Sequence, residues 1–168
     1  VLANILASNH VPPDIQHAYE AAYPEASKLM DFHDKAMSMG STEEMRGLIN
    51  GVKGKLFETT YLDELNNGSL PDGWHAELAK SATQPGWDIS IFNDHNHLQS
   101  VLSAKATEHA SYINHALELY PDIDVVSTSE VYAALSGTPA GSHLIDGGIS
   151  NVDLHQATQA AADGTAGG

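Results

Sequence analysis

Residues 87–107, WDISIFNDHNHLQSVLSAKAT, decide how the chain is read. Trp87 to Phe92 is rich in β-branched and aromatic side chains, which fit a pleated, half-buried surface. Alternation puts Trp87, Ile89 and Ile91 on one face and Asp88, Ser90 and Phe92 on the other. Asp94-His95-Asn96-His97 is turn chemistry, and Leu98 to Thr107 reads as the returning strand of a hairpin. With those four residues as the loop, Asp88 falls opposite Ser103, and Lys105 shares their face.

Downstream, Thr107 is placed to cap a helix with Glu108 in its first turn and Ile113, Ala116, Leu117 and Tyr120 at helical spacing, ended by Pro121. Asp122 to Thr128 contains a β-branched run suited to a buried strand, and Ser129 to Leu135 a brief helix stopped by Gly137. The stretch from Gly137 to Gly148 is expected to be mostly loop, with a last helix from Asn151 or Asp153 through Ala162. Upstream, Ser41-Thr42-Glu43-Glu44 has the form of a capping box, in which Ser41 accepts from Glu44 and the Glu44 side chain reaches back. The helix that follows, to about Asn66, carries Met45, Leu48, Ile49, Val52 and Leu56 as one stripe, shifting to Phe57, Tyr61, Leu62 and Leu65. Residues 13–39 read as two helices or one kinked at Pro24, and 1–12 as an arm; Trp74 to Ala82 fits either a short strand or a helical turn. The order of elements is α/β, built on a hairpin. Residues 1–40 then form an N-terminal arm and helices, 41–136 the core, and 137–168 a C-terminal loop, helix and Gly-rich tail.

Composition narrows the function. A length of 168 residues with 42% apolar and 17% charged side chains suits one globular domain, and no apolar run approaches a membrane span. The absence of cysteine excludes disulfides, thiolate metal sites and a cysteine nucleophile. Twenty-two acids against seven bases give a net charge of −15, which repels nucleic acid and anionic membranes. Such a surface is accounted for by solubility or salt adaptation, by a cation site, or by an acidic face that docks a basic partner or mimics DNA.

The seven bases are Lys28, Lys35, Arg46, Lys53, Lys55, Lys80 and Lys105, so Lys105 is alone among residues 81–168. An ammonium in the strand Leu-Ser-Ala-Lys needs a carboxylate nearby if it is buried, and the hairpin register nominates Asp88. Its plainer role is that of an edge-strand Lys discouraging aggregation. Glu58, four residues before Leu62 and seven before Leu65, places an acid on the newer apolar stripe of the long helix; as a surface acid it would pair with Lys55.

A helix acid, an Asp on one strand and a Lys at the end of the next, followed by helix and strand, resembles the PD-(D/E)XK nuclease superfamily. The resemblance rests on Glu58 in KGKLFE, on Pro85-Gly86-Trp87-Asp88-Ile89 and on Ser103-Ala104-Lys105, and spans about residues 41–128. It implies a restriction-endonuclease-like α-β-β-β-α-β core with extra N-terminal helices and a C-terminal helix. By that resemblance Glu58 is the helix acid, Asp88 the metal-bridging carboxylate and Ala104 a backbone-carbonyl ligand. Lys105 orients water or steadies charge on the phosphorus centre, and the metal is Mg²⁺ or Mn²⁺. The implied activity is divalent-metal-dependent hydrolysis of nucleic acid, DNA before RNA, as the toxin or effector module of a longer protein. Polymer-binding cations would then come from a neighbouring domain or an oligomer mate.

One position departs from the pattern. The family carries an acid or Gln two residues before the Lys, and this chain has Ser103. A hydroxyl is a poor Mg²⁺ ligand beside a carboxylate. Gln99 shares the face but lies about 13 Å along the strand. The alternative function is therefore a non-enzymatic, acidic protein-interaction domain on a degenerate nuclease fold, and a third reading makes Asp88 and Lys105 a structural ion pair. His95-x-His97 offers two imidazoles to Zn²⁺ but no third ligand at fitting spacing, which describes a solvated turn.

Overall fold

Proline and aspartate open the first helices of the computed structural model, which describes residues 11–79 and 86–165. Nearly all of the expected N-terminal arm and the end of the Gly-rich tail lie outside the described residues. Pro13 begins α1 (Pro13–Ala22), where its missing N–H removes no intrahelical bond, and Ile15, Ala18 and Tyr19 are buried. Pro24 opens α2 (Pro24–Ser27), and Asp31 caps α3 (Phe32–Met37) by accepting from the Asp34 amide at 2.8 Å. The stretch expected as two helices or one kinked helix is thus three short ones, each with its own start signal.

The long helix α4 (Thr42–Glu64) starts as expected at Ser41, whose Oγ accepts from the Glu44 amide at 3.1 Å. The Glu44 carboxylate reaches one residue further back than a capping box requires, to the Gly40 amide at 2.8 Å. A single wide turn, Leu65–Ser69, ends the helix, with Gly68 at φ 109°, a conformation open to glycine. Within that turn Asn66 imitates a strand. Its Nδ2 donates to the Ala76 carbonyl at 3.0 Å, and its Oδ1 accepts from the Ala76 amide at 2.8 Å. Ala76 belongs to β1 (His75–Leu78), the undecided segment of the sequence, and the amide side chain pairs with its backbone as a neighbouring strand would. Asn66→Ala should lower stability by about 1–2 kcal/mol, as measured by urea denaturation, because both Ala76 groups lose their partner.

β2 (Ile89–Phe92), β3 (Leu98–Lys105), α5 (Ala110–Leu119), β4 (Asp124–Ser127), α6 (Ser129–Leu135), a 3₁₀ turn (Pro139–His143), β5 (Leu144–Asp146) and α7 (Asn151–Asp163) follow. The chain divides into two compact units. One joins the described residues up to Leu56 with those from Val152 onward, and the other is Phe57–Asn151. In the first, Tyr19 packs on Phe32 with ring centroids 5.5 Å apart and donates to the Met30 carbonyl at 3.1 Å, while His33 Nδ1 lies 2.8 Å from the Ala162 carbonyl. Tyr23 lies over Gly51 of α4, where a Cβ would collide with its hydroxyl.

The second unit holds a mixed five-stranded sheet in the order β1-β2-β3-β4-β5. The first three strands are an antiparallel meander, and β3, β4 and β5 are mutually parallel, so β2 alone runs against the rest. The chain is therefore mixed α/β. Ile89 pairs with Leu102, Ser90 with Val101 and Ile91 with Ser100, the register a four-residue loop requires, while Asp88 at the foot of β2 departs from it by donating its amide to the Leu102 carbonyl. Near the turn the pairing slips by one between Ile91 and Phe92, because Asn93 Oδ1 accepts from both His95 and His97 amides at 2.9 Å and tightens the loop.

Val125 and Leu144 pack with Ile113 of α5 and with Val131 and Leu135 of α6, so both crossover helices cover one face of the sheet. On the other face Phe57, fully buried, reaches Val126 and Gly147. β2 begins at Ile89 and β3 ends at Lys105, each two residues inside its expected bound, and two further elements differ for a local reason. α5 begins at Ala110, because Thr107 Oγ1 takes the His109 amide at 3.1 Å in a turn of its own. β5 lies in the stretch expected as loop, since three residues are too few to show a period. Thr128, at the start of α6, is fully buried and its Oγ1 has no hydrogen-bond partner. Thr128→Val keeps the shape and removes a desolvated hydroxyl, so the variant should be more stable by about 1 kcal/mol, read as a raised urea midpoint at unchanged slope.

Candidate functional site

Parallel strands aim their carboxyl ends the same way, and in open α/β sheets that edge is where ligands are received. Here β3, β4 and β5 end at Lys105, Ser127 and Asp146, which are register partners in one row across the sheet. β2 is antiparallel, so its first residues come to the same edge. Asp88 arrives there beside the end of β3.

The Asp88 side chain turns into the plane of the sheet. Its backbone amide donates to the Leu102 carbonyl at 2.9 Å, its carbonyl accepts from Ala79 at 2.7 Å, and its Oδ2 accepts from the Ala104 amide at 2.8 Å. The carboxylate thus replaces the strand residue that would otherwise pair with Ala104. Backbone groups of a strand point alternately to its two neighbours, so the Ala104 carbonyl shares the edge used by its amide and faces Asp88. Two hard oxygens, Asp88 Oδ1 and the Ala104 carbonyl, thus belong to the same edge.

Ser103 is buried and Lys105 half-buried. Both side chains share the face of Val125, Ser127 and Leu144 by register. The expected ion pair is not formed: among the described residues no carboxylate lies within ion-pair distance of the Lys105 ammonium. The reason is that Asp88 is drawn to the Ala104 amide instead. Among the described residues the deeply buried base is Lys53 of α4, with 7% of its surface exposed. Glu58 is half-buried on α4, next to Phe57, whose ring meets Val126 and Gly147 on the face opposite that of Ser103 and Lys105. The fold therefore brings Asp88 and Ala104 together directly and carries Lys105 at the adjoining position, while Glu58 stands half-buried on α4. Burial, reinforced by the Glu64 carboxylate, pushes the Tyr61 phenol of the same helix above its ordinary value, so it remains a neutral donor at neutral pH.

A divalent cation of the Mg²⁺ type wants hard oxygens and keeps several waters, binding proteins through one or two carboxylates. Asp88 Oδ1 and the Ala104 carbonyl meet that description, with Glu58 as the remaining acid that the resemblance assigns. Among the described residues no three His, Asp or Glu side chains gather as a metal cage. His95 and His97, with ring centroids 6.3 Å apart at the hairpin tip, are both exposed.

Asp146 was not singled out in the sequence, because β5 was not. Its Oδ1 accepts from the Gly148 amide at 2.8 Å and from Ser129 Oγ at 3.1 Å, which ties the end of β5 to the start of α6. An Asp followed by Gly-Gly is a turn signal, and that is its use here. Comparison with protein-family models, curated protein sequences and solved structures finds no match for this chain.

Proposed function

We propose that the chain is a divalent-metal-dependent phosphodiesterase acting on nucleic acid, DNA in preference to RNA, on a restriction-endonuclease-like core. The observation that carries the reading is the Asp88 carboxylate lodged on the Ala104 amide beside Lys105, at the edge where the parallel strands end. The order α4-β1-β2-β3-α5-β4, with β2 antiparallel, agrees with the α-β-β-β-α-β core of that fold.

In this reading Asp88 Oδ1 and the Ala104 carbonyl hold Mg²⁺ or Mn²⁺, with Glu58 supplying a further carboxylate. When bound, the cation polarises the phosphate and lowers the pKa of its water. The chain's own contributions are positional. The Ala104 amide fixes the Asp88 carboxylate, leaving one oxygen for the ion, and Lys105 sets a positive charge where negative charge develops on the phosphate. A chain of net charge −15 needs help to approach a polyanion, so the cations that grip the substrate come from a neighbouring domain or a second subunit.

Ser103 favours a second reading. It is buried at the position where the family keeps an acid or Gln, and its hydroxyl cannot supply the missing negative charge. The degenerate, non-enzymatic interaction domain follows from that. Supercoiled plasmid incubated with the chain at low salt separates the two. Nicking that requires Mg²⁺ or Mn²⁺ and stops with a chelator supports the hydrolase. No cleavage with either metal selects the interaction domain, and cleavage that survives the chelator rejects the metal.

A further inference from the structure

α5 turns one side to the core and an apolar stripe to solvent. Ile113 packs inward with Val125 and Leu144. Tyr112 and Leu119, seven residues apart on one line of the helix, are 61% and 58% exposed, and Tyr120 adjoins them at 38%. Single exposed apolar residues are ordinary, but large ones aligned on one helix mark a face that something covers.

The charges around this stripe say what. Glu118 is an exposed acid of the same helix, Glu108 and Asp122 are exposed just before and after it, and residues 106–168 contain no Lys or Arg. A second copy of the chain would bring another −15 to the same place, and an anionic membrane would be repelled likewise. Tyrosine faces attract ammonium and guanidinium groups. We propose that the outer face of α5 docks a cationic amphipathic protein segment. Its apolar side chains cover Tyr112 and Leu119, and its Lys or Arg meet Glu108, Glu118 and the tyrosine rings. Tyr112 and Leu119 are no part of the proposed metal site, and Tyr120, whose ring lies against Gly86 two residues before Asp88, is left unchanged in the test, so this docking stands or falls independently of phosphodiester cleavage.

The test uses the full chain and a fluorescently labelled helical peptide of Leu and Lys, with Leu at helical spacing, against a scrambled peptide of the same composition. The patterned peptide is expected to bind at least about tenfold more tightly than the scrambled one. That preference should vanish in the variant carrying Tyr112→Ser and Leu119→Ser and persist in Leu98→Ser, which alters an equally exposed apolar residue elsewhere. Glu118→Lys is an independent probe, since it should weaken binding and flatten its salt dependence without touching the apolar stripe. Equal binding of both peptides, or unchanged affinity in both the double variant and Glu118→Lys, overturns the proposal. So does a concentration-dependent dimer that the double variant abolishes, which would make the occupant a second copy.

Discussion

Lys105→Ala is expected to lower metal-dependent plasmid cleavage by at least about 100-fold while leaving the thermal midpoint within a few degrees of the parent. The first half follows from the role proposed for the ammonium, since removing one preorganised group that meets developing charge costs about 10²–10³ in rate. The second follows from its surroundings: Lys105 is half-buried and, among the described residues, makes no ion pair, so its loss strands no buried carboxylate. Asp88→Asn sharpens the comparison. The amide oxygen still accepts from the Ala104 amide, so stability should change by no more than about 1 kcal/mol, whereas the charge that holds the cation is gone and cleavage should fall as far. Undiminished cleavage in both variants removes the hydrolase reading. A large loss of stability in Lys105→Ala would instead return Lys105 to a structural role.

Phe57→Ala should cost about 3–5 kcal/mol of unfolding free energy, the largest stability effect expected of any single truncation in this unit. The ring is fully buried and, like Val126, borders Gly147, on the sheet face opposite α5 and α6. Gly147 is shaped to receive it. A Cβ there would lie 3.0 Å from the Ser127 carbonyl oxygen, 3.1 Å from Phe57 Cζ and 3.2 Å from Val126 Cγ1. Gly147→Ala is therefore destabilising in the parent and less so when Phe57 is already truncated, because the added methyl enters space the ring has left. Urea denaturation of the two single variants and the double variant measures the coupling, and strictly additive costs would show that the two residues do not share this contact.

Where a segment carried its own period or its own cap, the chain was legible. The register of the inner part of the hairpin could be read from 87–107 because a short turn and the alternation of Ile89 and Ile91 leave little freedom, and Ile89 does pair with Leu102, although Phe92 pairs with Leu98 and leaves five residues in the loop rather than four. The helix Ser129–Leu135 was readable from its start signal and from Gly137. β5 was not, since three residues in a Gly-rich stretch lie below the length at which alternation can be seen. The start of α5 was misplaced by the competing turn that Thr107 makes with His109.

The candidate site was legible only in part, and the reason is electrostatic. Pairing across the hairpin put Asp88 and Lys105 on one face, and an ion pair was the natural expectation. The carboxylate instead takes the amide of Ala104, an orphan donor created because β2 begins one residue later at that edge. A backbone group left unpaired by the ending of a neighbouring strand has no signature in the residue types around it.

The long helix, the hairpin of β2 and β3, the helix and strand that follow it and the identity of Asp88 as an acid at the foot of a strand were properties of the amino-acid sequence, because they depend on spacing along the chain, whereas β1 and β5 took their place only in the folded sheet. Which oxygen Asp88 commits to a backbone amide, which face Phe57 closes relative to Lys105, and that Lys53 is the buried base were decided by tertiary packing. Those outcomes depend on distances between segments far apart in sequence, which local propensity and periodicity do not encode.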